Sequence, residues 1–144
     1  MESSKILEDI YQKEIIKLLQ KMIQIKTVNP PGNEKPLAEF LAGAMKSFGM
    51  KAEVFDLGNN RANVVGRIKG TGKKKALLMN GHLDTVPIGD MKWKYGPFSG
   101  KIVQGKIYGR GAADMKSGLA AMIIAAKLIQ KKKRELEGDL IIAG

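Results

Sequence analysis

A chain of 144 residues is long enough for one domain, with a core burying roughly 70% of the unfolded surface. Apolar residues make up 44% and charged residues 27%, an ordinary globular balance that excludes a disordered or fibrous chain. The absence of cysteine excludes disulfides and thiolate metal sites, while a net charge of +11 leaves nucleic acid to be considered.

The densest of the 25 Lys and Arg form short runs, Lys73–Lys75 and Lys131–Arg134, rather than one long stripe. Eight aromatics are spread along the chain, and none is interleaved with those runs as a base-stacking platform requires. The runs therefore read as a solvated turn and a helix end, with a basic binding module kept as the alternative. The N-terminus mixes charges with its apolar residues, unlike a signal peptide. No apolar run reaches the ~20 residues needed to span a bilayer. A soluble cytoplasmic protein without nucleic-acid or membrane partners is expected.

In chain order, Ile6, Ile10, Ile15, Leu18, Leu19, Met22 and Ile23 recur at helical spacing, predicting a helix over 4–25. Asn29-Pro30-Pro31-Gly32-Asn33 breaks it. A second helix is predicted over 34–48, with Leu37, Phe40, Leu41, Ala44 and Met45 on one face and Gly49 as its stop. Strands follow at 52–57, 63–68 and 76–79. Residues 101–103 and 106–108 flank Gly105 as a hairpin. A third helix is predicted over 115–133, with Leu119, Met122, Ile123, Ala126 and Ile129 inward, and a last strand over 139–143. This alternation predicts an α/β fold with helices on the faces of a sheet. The abrupt end at the last strand reads as a truncation.

The sequence has one histidine, His82. A lone histidine is more often structural, but His82 follows directly on the strand at 76–79, in GHLDTVP, and catalytic groups of open α/β sheets gather at such strand ends. Asp84, two residues on, projects to the same side in an extended backbone. It could accept a hydrogen bond from one ring nitrogen and leave the other as a metal ligand, or simply cap a turn. The segment GKIYGRGAADMK superficially resembles a dinucleotide fingerprint, but Asp114 stands where the third glycine belongs and would repel a pyrophosphate. Its glycines instead deliver Asp114 to a helix start, where a plain N-cap is the simplest role.

Together, NPPGNE at 29–34, GHLDTVP at 81–87, Trp93, Gly96-Pro97-Phe98 and GKIYGRGAADMKSGLAA at 105–121 resemble the zinc-dependent amidohydrolase and exopeptidase family of acetylornithine deacetylase, succinyl-diaminopimelate desuccinylase, aminoacylase and glutamate carboxypeptidase. The resemblance spans nearly all of the chain. It implies that His82 ligates one Zn2+, that Asp114 bridges two, and that Asp84 is the catalytic-site carboxylate orienting His82. Co2+ could substitute. In such sites two metals ~3.5–4 Å apart activate water and polarise the scissile carbonyl. A non-proline cis peptide after Asp114 is implied as well. Gly96 departs from an acidic residue common in the family at that position, which leaves the metal site untouched.

The resemblance also implies what this chain lacks. The strand at 139–143 would lead into an acidic pair supplying the general base and a further ligand. A later carboxylate ligand, a histidine ligand and a lid and dimerisation domain would follow. Residues 1–144 are thus expected to be the N-terminal part of a catalytic domain, a three-layer α/β/α fold with a mixed, mostly parallel sheet. The parent is expected to be a homodimer that hydrolyses N-acyl amino acids or small peptides, with a dipeptidase-type exopeptidase as the alternative within the family. The fragment itself is expected to be inactive.

Overall fold

The computed structural model describes residues 2–131 and 135–144, with side chains from Tyr11 onward. The element order is α1 (Glu2–Gln24), α2 (Lys35–Ser47), β1 (Lys51–Gly58), β2 (Arg61–Ile68), β3 (Leu77–Asn80), β4 (Lys101–Val103), β5 (Lys106–Tyr108), a wide π-type turn (Ala112–Lys116), α3 (Ser117–Lys131) and β6 (Leu140–Ala143). Among the described residues no helix is long and apolar enough to cross a membrane. The side chains of Ile6 and Ile10 and the basic residues 132–134 lie outside the described part of the chain.

The sheet has the order β1-β2-β6-β3. β1 and β2 are antiparallel, joined through Asn59 and Asn60, both at positive φ. That backbone geometry matches the twist of a tight hairpin and suits asparagine. β6 lies between β2 and β3, antiparallel to the first and parallel to the second. The sheet is therefore mixed, as expected, but not mostly parallel. The two-residue link at 59–60 is too short for a crossover, so it forces β2 antiparallel to β1. Only the β3–α3–β6 passage is long enough to return a parallel strand. β4 and β5 form a separate hairpin.

Alternation along the strands sends one set of side chains inward. Ala52, Ala62, Val64, Ile68, Leu140 and Ile142 are buried, and they share one core with Leu41 and Met45 of α2, Met22 and Ile23 of α1, and Leu119 and Ile123 of α3. Each fully buried large apolar side chain contributes about 1.5–3 kcal/mol. On this face α2 packs against β1 and β2 and α3 against β6, while α1 packs against α3 and the wide turn. The opposite face carries Phe55, Leu57 and Leu78, which are 48%, 62% and 58% exposed. Among the described residues that face therefore carries no helical layer, where three layers are expected.

The third helix starts later than predicted. Asp114 and Met115 have non-helical dihedrals, so regular α-helix begins only at Ser117.

Candidate active site

The strand β3 ends at Asn80, and the chain leaves the sheet in extended form beside the end of β6. The Gly81 N–H donates to the Ala143 carbonyl at 3.0 Å. A Cβ at Gly81 would press on the ends of the Met115 and Leu119 side chains, at 2.8 Å from Met115 Cε. His82 and Asp84 follow at the carboxyl end of β3, the position the sheet topology favours for ligands.

The predicted trio meets around one ring. His82 Nδ1 lies 2.9 Å from Asp84 Oδ1 and 3.0 Å from the Asp84 carbonyl oxygen. Its Nε2 lies 2.8 Å from Asp114 Oδ1. Nδ1 faces two acceptors on Asp84 and Nε2 a third on Asp114, so both contacts are hydrogen bonds when the ring carries a proton on each nitrogen. The hydrogen bond to Asp114 raises the His82 pKa above its ordinary value, partial burial opposes this, and the Asp84 carbonyl and carboxylate add to it. Asp84 is held below the usual carboxylate range, chiefly by its bond from Asn29, with burial opposing and His82 helping.

Asp114 arrives from the other side, through the wide turn that follows β5. Gly111 opens that turn at φ 78, a left-handed conformation that favours glycine. A Cβ at Gly111 would collide with Thr85, so the two site loops touch there. The Asp114–Met115 peptide is cis, as the resemblance implies. The Asp114 side chain is 88% exposed and so free to turn toward a ligand.

Three contributors escaped the sequence reading. Asn29 donates its side-chain amide to Asp84 Oδ2 at 2.9 Å. Thr27, fully buried, donates to the Leu83 carbonyl at 2.7 Å. Lys116, also fully buried, donates to the Met22 and Ile25 carbonyls at 2.8 Å each. Burial brings the Lys116 pKa down to about 8. Asn29 enters the sequence reading in a helix-breaking run and Lys116 in a helix start, and both within the motifs of the resemblance, but neither with a role at the site.

The donors at hand fit a zinc-type ion. A neutral imidazole nitrogen and a carboxylate oxygen are among its usual ligands, and a carboxylate on the far nitrogen is the usual orienting partner. The set is short of a complete site, because among the described residues no three His, Asp or Glu side chains converge to hold a metal. A cleft of ≈450 Å³ opens at this point, lined by His82, Asp84, Thr85, Arg110, Ala113 and Asp114. The Arg110 guanidinium at its wall stacks 5.2 Å from the centre of the Trp93 ring.

Residues 78–144 match the peptidase family M20/M25/M40. Over 136 residues the chain is 36% identical to the N-formyl-4-amino-5-aminomethyl-2-methylpyrimidine deformylase of Bacillus subtilis, covering 92% of this chain and 32% of that one. It is 34% identical over 127 residues to the succinyl-diaminopimelate desuccinylase of Wolbachia pipientis, covering 87% and 31%. Among solved structures, an M20 family metallo-carboxypeptidase from Sulfolobus solfataricus superposes with a TM-score of 0.80 at 27% identity, over 90% of this chain and 30% of that chain. The chain thus spans about a third of the length of the relatives it matches. Residues 78–144 thus carry the match to the M20/M25/M40 peptidase family, and likeness in sequence and fold to the proteins named above extends over about nine-tenths of the chain.

Proposed function

We propose that this chain supplies part of the metal centre of an amide-bond hydrolase, with His82 as ligand to one Zn2+, Asp114 as the carboxylate shared between two, and Asp84 as the group that orients His82. The observation that carries the reading is the ring of His82 held between two carboxylates, one on each nitrogen. When bound, the metal supplies Lewis-acid polarisation of the scissile carbonyl and a lowered pKa for the attacking water. Asp84 keeps the Nδ1 proton in place and with it the direction of the Nε2 lone pair. Asp114 is exposed in the cleft, where its carboxylate can reach a cation beside His82.

The names of the two curated relatives both describe removal of an acyl group, formyl in one and succinyl in the other. The solved relative is named a carboxypeptidase. Hydrolysis of small N-acyl compounds or short peptides is the activity common to these readings, and we assign it to the parent protein, with a dipeptidase as the narrower variant. The parent is taken to work as a soluble cytoplasmic homodimer. Purified full-length parent is expected to contain zinc, measured by inductively coupled plasma mass spectrometry, and to release amine from a panel of N-formyl, N-acetyl and N-succinyl compounds and dipeptides. A zinc-free, fully active protein, or one inert toward the whole panel, would overturn the reading.

A further inference from the structure

His82 and Asp114 sit on loops 32 residues apart, yet the His82 ring bridges them at hydrogen-bond distance. A single contact between two exposed side chains cannot fix the relation of two loops. What both loops share is a third segment, the exit of α1.

The first loop is tied to that exit by four hydrogen bonds of 2.9 Å or shorter and a longer fifth from the Thr85 hydroxyl to the Thr27 carbonyl. Thr27 Oγ1 donates to the Leu83 carbonyl at 2.7 Å, and the Thr85 N–H donates to the Thr27 carbonyl at 2.8 Å. The Asn29 N–H donates to the Thr85 carbonyl at 2.9 Å, and the Asn29 side chain reaches Asp84 itself at the same distance. These bonds bracket residues 83–85 on both sides of Asp84.

The second loop is tied to the same place. Gly109, ahead of the turn, lies so close to Ile23 that a Cβ would clash with its side chain. Lys116, at the end of the turn, sends its ammonium to the Met22 and Ile25 carbonyls. These belong to the last turn of α1 and the residue after it, where carbonyls lack helical partners and the helix dipole favours a cation. Asp114 is thereby held between two points fixed on α1. An apolar residue at 116 would fill the space, but it would leave those carbonyls unmet and the turn unanchored. Burying an ammonium is costly unless its hydrogen bonds are satisfied, and here two are.

We propose that the exit of α1, residues 22–29, is the positioning element of this site, with Lys116 as the positioning residue for Asp114 and Asn29 as the positioning residue for Asp84 and His82. This rests on the proposed role of His82 and Asp114 as the ligand pair.

The test uses the fact that His82 is the sole histidine, so its ring nitrogens give unambiguous signals in long-range 1H–15N spectra of the 144-residue chain. Spectra are recorded without metal at a fixed pH below the His82 pKa, where both ring nitrogens stay protonated in every variant, so the result depends neither on zinc binding, which judges the ligand assignment separately, nor on a change of protonation. Lys116→Met is expected to move the Nε2 signal toward that of an imidazolium free in water while leaving Nδ1 nearly in place. Lys116→Arg, which keeps charge and donors, is expected to move Nε2 less. Asn29→Ala is expected to do the reverse, moving Nδ1 and sparing Nε2. If Lys116→Met does not fold, Lys116→Gln replaces it with the same expectation. Folded variants that leave both ring nitrogens unmoved overturn the proposal, as do variants that move both equally.

Discussion

The side-chain amide of Asn29 donates to Asp84 Oδ2 at 2.9 Å while the other oxygen of the same carboxylate faces His82 Nδ1. Asp84 is thus held at both oxygens, and the Asn29 bond is the main reason its pKa is low. An ionised, two-point-held carboxylate is what keeps a histidine in one tautomer and one orientation.

That arrangement separates the roles of three residues in the full-length parent. His82→Ala and Asp114→Ala are each expected to lower zinc content and abolish turnover. Asp84→Asn retains the metal but slows the reaction by about 10–100-fold, because it weakens only the orienting bond. Metal analysis alongside kcat on an N-acyl substrate checks this, and full zinc occupancy with wild-type kcat in His82→Ala would remove His82 from the site.

The 144-residue chain alone is expected to show no hydrolase turnover. Its described residues gather one imidazole and one exposed carboxylate, whereas a catalytic zinc uses three protein ligands and water activation needs a positioned base. Amine release from N-acetyl, N-formyl and N-succinyl compounds, with zinc added, measures it.

Asp139 offers a pH test away from the site. It is buried immediately before β6, where it accepts from the Gly70 N–H at 2.8 Å and pairs with Arg67 and Lys69. The Gly70 bond, then Lys69 and Arg67, hold its pKa below the usual carboxylate value. A carboxylate with a lower pKa folded than unfolded adds stability above its unfolded pKa, and that stability is lost as pH falls through the folded value. Asp139→Asn is therefore expected to lower the urea midpoint at pH 7, with the gap to wild type closing in acid below pH ~3.9. A gap that persists unchanged in acid would count against the charge as its cause.

Gly109→Ala is expected to cost about 1–3 kcal/mol by overpacking. The new methyl group meets Ile23, which is fully buried in the core. Urea unfolding followed by circular dichroism reads the loss.

The helices and most strands were legible because their signals are local. The spacing of Leu18, Leu19, Met22 and Ile23 marks an inward stripe, and all four are buried. His82 and Asp84 were legible as a pair because two residues of extended chain put them on one side. Their meeting with Asp114 came from the resemblance, since no local pattern spans the 32 residues between them. Thr27, Asn29 and Lys116 stayed hidden for the same reason. Each acts on a carbonyl or carboxylate far along the chain, with Lys116 reaching back 94 residues to Met22. The balance of parallel and antiparallel pairing was misjudged because β6 inserts between β2 and β3, a choice of neighbour that no segment states on its own.

The bare face of the sheet makes the isolated chain a colloidal problem. Phe55, Leu57 and Leu78 offer apolar contact to any second copy, while a net charge of +11 pushes copies apart. Those two influences respond oppositely to salt. At physiological ionic strength the repulsion reaches only about 8 Å, and sulfate-like salts strengthen apolar association at the same time. Purification in low salt favours single molecules, and each increment of ammonium sulfate favours their clustering through this face.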